Sequence, residues 1–339
     1  MSVARGPRPA AQGGTLRMNQ DPAAAPSVTV VALCFNHVRF VIECLESIRC
    51  QTYQTFQLIV MDDCSKDGSQ QKIEAWLAAH FPDAIFIRHD RNVGICRTLN
   101  EALARATGDY ISMIATDDVW EPSKIEVQLA AMQAQPARVA VVYSDAKRID
   151  EAGKRLPEDF IAQHRPGFEP PSGQVFAALA HENFIPAMST LIRRQAMLDA
   201  GGYDERLLFE DYDMWLRLAR CNDFTFVPGA PARYRLVSTS MVRTSFRDNS
   251  PDFAYTMFRI CETKLATRLI LRAEREHQVR LQWEHAYQLY VLGDRRAGAC
   301  LWISAARTRK PRVLALACLA SLGITRSRAK RLGALRPRR

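Results

Sequence analysis

The chain has 339 residues, 47% of them hydrophobic and 24% charged, with a formal net charge of +10. That length supports a large buried core, most simply one α/β domain of about 200 to 250 residues with an appendage. Thirteen of the 46 Lys and Arg fall in residues 295–339, which hold no Asp or Glu, so the first 294 residues carry 33 basic against 36 acidic side chains and a basic, nucleic-acid-binding body is excluded.

Residues 1–27 are rich in Ala, Pro, Gly and Gln, show no periodicity and lack the apolar stretch of a signal peptide; a disordered tail is expected, with Met18 as an alternative start. Residues 28–34 form a β-branched apolar run, and Val38, Val41, Leu45 and Ile48 then recur at helical spacing. A second strand is expected at 57–61 with a helix at 69–79, and a third at 84–87 with a helix carrying Leu99, Ala102, Leu103 and Ala106. The fourth strand runs from Tyr110 to Ile114 and ends at Thr116-Asp117-Asp118. Strand-helix alternation of this kind predicts a parallel sheet with helices on both faces and its post-strand loops along one edge. From about residue 252 the strand signal disappears and helices are expected at 253–271 and 278–292.

Nine cysteines form no C-x-x-C pair and mostly sit in apolar stretches, which fits buried thiols in the cytoplasm.

Five clusters fall in the post-strand loops or at a helix start. Asp117 and Asp118 stand where an apolar strand stops, a place suited to holding a divalent cation on a phosphate. Phe35 and Asn36 follow the first strand, where a ring and an amide could pack on and bond a base, or Asn36 could simply cap a helix. Asp62 and Asp63 end the second strand, followed by a turn at Asp67-Gly68 and a helix-capping Ser69; an acid here could accept from a base or a ribose. Asn92 and Gly94 form a turn in which glycine permits close backbone approach. Glu210 and Asp211 precede a helix whose Tyr212, Trp215, Leu216 and Ala219 share a face, so a role for Asp211 or Asp213 in stabilising the helix start stands beside a catalytic one.

In order and spacing these clusters resemble the inverting family 2 of glycosyltransferases, of GT-A fold, over about residues 28–240. Phe35-Asn36 stands where that family usually has Tyr-Asn, residues 61–69 are similar to its D-D-x-S-x-D-G-S block, and residues 91–94 to its N-x-G element. Residues 108–120 are similar to its G-x-Y-I segment running into the acidic metal motif, and residues 210–215 to its E-D-x-x-x-W block. Ala115 stands where many members have a further acid, and Tyr234-Arg235 is followed by Leu236-Val237 where a His is common.

The resemblance implies a GT-A α/β domain at 28–248 and a helical C-terminal region at 249–339. It implies transfer of a sugar from a nucleoside-diphosphate sugar, by default a UDP-sugar, to a saccharide or lipid-linked hydroxyl in surface polysaccharide or O-antigen assembly. By that resemblance Phe35, Asn36, Asn92 and Gly94 line the donor site, Asp63 contacts the base, and Asp117 meets the ribose or the metal shell. Asp118 would bind Mn²⁺ or Mg²⁺ and Asp211 with its neighbour Glu210 would be catalytic, whereas the chain's departure at Leu236-Val237 leaves Arg235 or Arg243 as the expected cationic help to the diphosphate. A sugar-phosphate nucleotidyltransferase is the second reading, weakened because residues 33–40 contain no glycine, and a non-catalytic nucleotide-sugar-binding homologue is the third. No G-x-G-x-x-G follows any strand, against a dinucleotide oxidoreductase.

Residues 313–324 form a mostly apolar run flanked by Arg307, Arg309, Lys310 and Arg312 and by Arg326, Arg328, Lys330 and Arg331. Crossing a bilayer takes about 20 residues, so two expectations stand: attachment to the anionic inner face of the cytoplasmic membrane, or a helix packed on the body.

Overall fold

The computed structural model describes residues 27–238 and 250–325. The N-terminal tail, Arg243 and the basic residues Arg326, Arg328, Lys330 and Arg331 lie outside the described residues. The chain opens with β1 (Val28–Cys34), α1 (Val41–Arg49), β2 (Phe56–Asp62), α2 (Ser69–His80), β3 (Ile85–Arg88), α3 (Ile95–Arg105) and β4 (Tyr110–Ala115). It continues through β5 (Val119–Trp120), α4 (Lys124–Gln133), β6 (Val139–Tyr143), β7 (Lys147–Ile149), α5 (Phe160–His164), α6 (Phe176–His181), β8 (Thr190–Arg193) and α7 (Arg194–Asp199). Then come α8 (Asp211–Ala219), β9 (Asp223–Phe226) and β10 (Ala232–Arg235), followed by α9 (Pro251–Leu265), α10 (Arg272–Val291), α11 (Ala297–Thr308) and α12 (Pro311–Ser321).

Seven strands form one sheet in the order β3-β2-β1-β4-β8-β6-β9. All its pairings are parallel except those of β8, which runs antiparallel to both β4 and β6. The mostly parallel α/β sheet expected from the sequence is therefore present, and its central strands β1, β2, β4 and β6 are buried on both faces, as the interior strands of a parallel sheet are. Alternation along β1 shows how: Val30, Ala32 and Cys34 face a core shared with α1 and α2, whereas Val31 faces the core of α3, α6 and α8. Register then fixes the site edge, because Cys34 sits level with Asp62 and Leu33 with Ala115. A second, small sheet in the order β5-β10-β7 flanks that edge.

The helical C-terminal region is welded to this body. Ser250 Oγ caps α9 by accepting from Phe253 N (3.1 Å), with Pro251 in the first turn. Ile260 and Leu265 of α9 belong to the core of the sheet, while Ala254 and Phe258 pack with α10, α11 and α12. The C-terminal apolar run folds as α12, which buries Val313, Leu316 and Ala317 against its neighbours. Its outer edge leaves Leu314 and Leu322 exposed beside Trp302, whose Nε1 donates to Ser321 Oγ (2.9 Å). Among the described residues no helix is long and apolar enough to cross a membrane.

One glycine is required by contact. A Cβ on Gly108 would stand 2.6 Å from Thr29 N and 2.7 Å from Val28 C, both backbone atoms of the neighbouring strand. Gly108→Ala should therefore force β1 and β4 apart and destabilise the protein by about 1 to 3 kcal/mol, read as a lower urea midpoint with an unchanged slope.

Candidate active site

The acid pair is built by the turn that ends β4. Asp118 N donates to Ala115 O (3.0 Å), and β5 then leads away to pair antiparallel with β10. That pairing brings the backbone of Arg235 beside Asp118, whose Oδ1 accepts from Arg235 N (2.8 Å). Asp118 is buried, and desolvation, followed by the charge of Asp117, holds its carboxyl well above the usual range. A divalent cation would relieve that penalty by supplying the missing positive charge. The donor set suits Mg²⁺ or Mn²⁺ bound through one or two carboxylates together with waters and substrate phosphates. It does not form a closed cage: among the described residues no group of three or more His, Cys, Asp or Glu is placed to hold an ion.

Arg235 is elsewhere than a diphosphate-binding residue would be. Its side chain is 2% exposed and its guanidinium is fully engaged behind the acid pair, donating from Nε to Asp117 O (2.7 Å) and pairing with Glu43 Oε2 (2.6 Å) over the ring of Phe40. It does not border the cleft, so as a donor-binding residue it is corrected to a support for the Asp117-Asp118 turn. A guanidinium with five donors is satisfied here by protein oxygens, leaving no fork for a phosphate.

The first two strand tips supply the opposite rim. Phe35 is 45% exposed with its ring at the cleft. Asn36 adopts a left-handed φ of 59° and ties the β1 loop to the β2 loop, donating from its N–H to Ser65 Oγ and accepting Lys66 N at Oδ1, both at 2.8 Å. It caps no helix, since α1 begins after Phe40 without a side-chain cap. His37 joins the same rim to the acid pair, with Nδ1 3.0 Å from Thr116 Oγ1 and Nε2 3.7 Å from Asp117 Oδ2.

The two acids of β2 divide their work. Asp62 turns inward, its Oδ1 accepting from Ser65 N (2.8 Å) and Gln70 Nε2 (2.6 Å). Asp63 reaches the cleft and gathers the β3–α3 loop: Oδ1 accepts from Val93 N (2.8 Å) and Oδ2 from Gly94 N (3.0 Å). Gly94, at φ 88°, holds a conformation open to glycine. The start of α2 is held by Asp67, which accepts from Ser69 N and Ser69 Oγ, rather than by a capping Ser69.

The far wall is the N-terminus of α8. Glu210 precedes the helix without capping it, and Asp211 is its first residue. Desolvation and the neighbouring Asp211 charge push Glu210 up to about 8. Burial raises Asp211 too, but here two hydrogen bonds favour the charged form: Asn183 Nδ2 donates to Oδ2 (2.9 Å) and Tyr212 N to Oδ1 (2.6 Å). Both carboxyls of this adjacent pair are raised by burial and titrate together, and the hydrogen bonds to Asp211, with the helix dipole, favour placing the charge there. Asp213, the other candidate, is committed to Arg217 (2.7 Å) and to Thr263 of α9.

These walls enclose one cavity of about 920 Å³, bordered by Phe35, Asn36, Asp63, Asn92, Gly94, Asp117, Asp118, Glu210 and Asp211. Nine sequence-expected site residues thus lie along one cavity, while Arg235 stands apart from it and Arg243 lies outside the described residues. Sequence reasoning missed Asn183, which lies in a stretch without a motif, and His89, whose ring joins Asp63 to Glu101. It also missed that α9 closes the cavity with Phe253 and Met257.

A mostly parallel sheet with paired acids at the tip of its fourth strand and an acidic helix start across the cleft is the GT-A arrangement. The profile of glycosyl transferase family 2 matches residues 29–198, and the chain belongs to that family. The Bacillus subtilis (strain 168) protein EpsE is 30% identical over 198 residues, covering 57% of this chain and 67% of EpsE. The amylovoran biosynthesis glycosyltransferase AmsE of Erwinia amylovora is 29% identical over 182 residues, 52% of this chain and 62% of AmsE. The chain spans only 32% of the length of an uncharacterized Rickettsia felis glycosyltransferase that it also resembles. In fold it is similar to S. aureus TarS 1-349 in complex with UDP-GlcNAc (TM-score 0.57, 15% identity, 91% and 92% of the two chains). It is also similar to the mannosyltransferase PcManGT of Pyrobaculum calidifontis in complex with GDP-Man and Mn²⁺ (TM-score 0.55, 18% identity, 92% and 85%).

The raised Glu210 carboxyl has a consequence for stability. A carboxyl held above its unfolded value stabilises the fold fully below that unfolded value and loses the contribution as pH rises through the folded one, about 8 here. Glu210→Gln should therefore match wild type in urea unfolding at about pH 4 and exceed it by on the order of 2 kcal/mol at about pH 9.

Proposed function

We propose that the protein is an inverting, metal-dependent glycosyltransferase that moves a sugar from a nucleoside-diphosphate sugar, by default a UDP-sugar, to a hydroxyl of a saccharide or lipid-linked acceptor. One observation carries this: the Asp117-Asp118 pair and the Glu210-Asp211 pair face each other across a single cavity. Phe35 offers a ring to the base, Asp63 an acceptor for a base N–H, and Asn92 and Gly94 the loop that closes the nucleotide side. The cation held by Asp118 would offset the charge that gathers on the departing diphosphate. Asp211 takes the proton of the acceptor hydroxyl as that oxygen attacks the anomeric carbon from the face opposite the diphosphate. One C–O bond forms, the bond to the diphosphate breaks, and the anomeric centre inverts. Glu210, protonated beside it, leaves Asp211 as the base.

A nucleotidyltransferase would cradle a triphosphate in a glycine-rich loop after the first strand, and residues 33–40 have none. A non-catalytic homologue would have no use for a charged Asp211 held by Asn183. The transferase unit is taken as residues 28–248 and the helical region as 249–339. Work in the cytoplasm on surface polysaccharide follows from the nucleotide-sugar donor and from the naming of AmsE. The edge formed by Trp302, Leu314 and Leu322, with Arg309, Lys310 and Arg312 nearby and no acid from residue 295 onward, suits an anionic membrane surface.

Purified protein should release nucleoside diphosphate from one of a panel of sugar nucleotides only when Mn²⁺ or Mg²⁺ is present. Asp118→Asn should abolish the metal dependence of donor binding, and Asp211→Asn should keep donor affinity while lowering transfer by about 10² to 10⁴. Normal turnover by Asp211→Asn would remove it as the base. Separately, sedimentation with phosphatidylglycerol vesicles but not phosphatidylcholine vesicles is expected, and should be lost in the triple variant Trp302→Ser, Leu314→Ser, Leu322→Ser.

A further inference from the structure

His89 is absent from every motif of the sequence, yet it sits directly behind the carboxylate that borders the nucleotide side of the cleft. Its side chain is 11% exposed; Nδ1 lies 2.8 Å from Asp63 Oδ1 and Nε2 lies 3.0 Å from Glu101 Oε2. The backbone fixes it as well, since His89 N donates to Asp62 O (2.9 Å) at the end of β2. A neutral imidazole has one donor and one acceptor nitrogen, so it can satisfy only one of two carboxylates; both are satisfied only by the imidazolium. The charged groups around it are Asp63 from the β2 tip and Glu101 from α3, with Arg105 Nη1 on the other oxygen of Glu101 (3.0 Å) and Arg88 turned away to Glu74.

The consequence falls on Asp63. Its Oδ1 receives two donors, His89 Nδ1 and Val93 N, whereas Oδ2 receives one, Gly94 N. With two lone pairs on each oxygen, Oδ2 is the atom with acceptor capacity left for a ligand.

We infer that His89, as an imidazolium clamped between Asp63 and Glu101, is a positioning residue that orients Asp63 for the nucleotide and makes nucleotide affinity depend on pH. The inference rests on the donor site proposed above. Burial alone would lower the His89 value, but its hydrogen bonds to Asp63 and Glu101 and their charges outweigh burial and hold it above the usual range. The charged form thus persists past the pH where histidine ordinarily titrates, and the clamp is lost as pH rises through the raised value.

Three proteins decide the matter: wild type, His89→Asn, whose amide nitrogen can take the place of Nδ1 without titrating, and His89→Leu, which donates nothing. Affinity for UDP and for GDP is measured calorimetrically from about pH 6 to about pH 9, and each variant is read as a ratio to wild type so that titration of the ligand phosphate cancels. The expected result is a His89→Leu protein weaker by about fivefold at low pH and by clearly less at high pH, where the neutral imidazole divides its one donor between Asp63 and Glu101, with His89→Asn level with wild type at low pH and tighter than it at high pH. A His89→Leu ratio that stays at one across the range overturns the inference. Amide exchange of Val93 and Gly94 supplies a reading without nucleotide: at low pH protection should fall in His89→Leu and be kept in His89→Asn, and equal protection in all three overturns the clamp. If wild type binds neither nucleotide, the donor reading fails, while the exchange result still decides what His89 does.

Discussion

The structure is organised around the burial of two adjacent carboxylates. Asp117 and Asp118 leave the sheet at the tip of β4, and Asp118 is 3% exposed with a like charge beside it. Such a pair is tolerated only if cations are near. The protein brings one from behind, the Arg235 guanidinium under the Asp117 carbonyl, and presents the open side to the cleft beside the His37 ring. The small sheet β5-β10-β7 exists at this place for that reason: without the β5–β10 pairing neither the Arg235 N–H nor its side chain would reach the turn.

Acids come in neighbouring pairs at three points of the cleft, and in each pair the two members do different things. At the β2 tip Asp62 organises its own loop while Asp63 gathers the β3–α3 loop and borders the cavity. At the β4 tip Asp118 is buried, while Asp117 keeps a small exposed part that faces His37. At the start of α8 burial raises both carboxyls, and Asn183 Nδ2 and Tyr212 N donate to Asp211, which favours its charged form over that of Glu210. A carboxylate deprived of water ionises only where donors replace it, so the hydrogen-bond partners, not the residue type, assign the roles.

The helical region is part of this arrangement. The α9 residues Ile260 and Leu265 enter the core of the sheet, Thr263 holds Asp213, and Phe253 and Met257 face the cavity. A helix that borders the cavity on one side and packs with α10 to α12 on the other joins that cavity to the exposed edge at Trp302 and Leu322.

By itself the sequence determined the alternation of strand and helix, and with it the edge along which Phe35, Asn36, Asp63, Asn92, Gly94, Asp117 and Asp118 collect. A parallel, right-handed sheet leaves those post-strand loops nowhere else to go. It also determined that Glu210 and Asp211 begin a helix. The antiparallel β8, the two-residue β5 and the four-residue β10 were not legible, since segments that short carry no period. For the same reason Arg235 could not be placed: its direction depends on which neighbour β10 pairs with. That Asp63 and not Asp62 borders the cavity, that His89 and Asn183 stand behind Asp63 and Asp211, and that α9 closes the cleft were decided by tertiary structure alone. Those contacts join residues far apart in the chain, and a hydrogen bond between such residues leaves no mark on the local pattern of either.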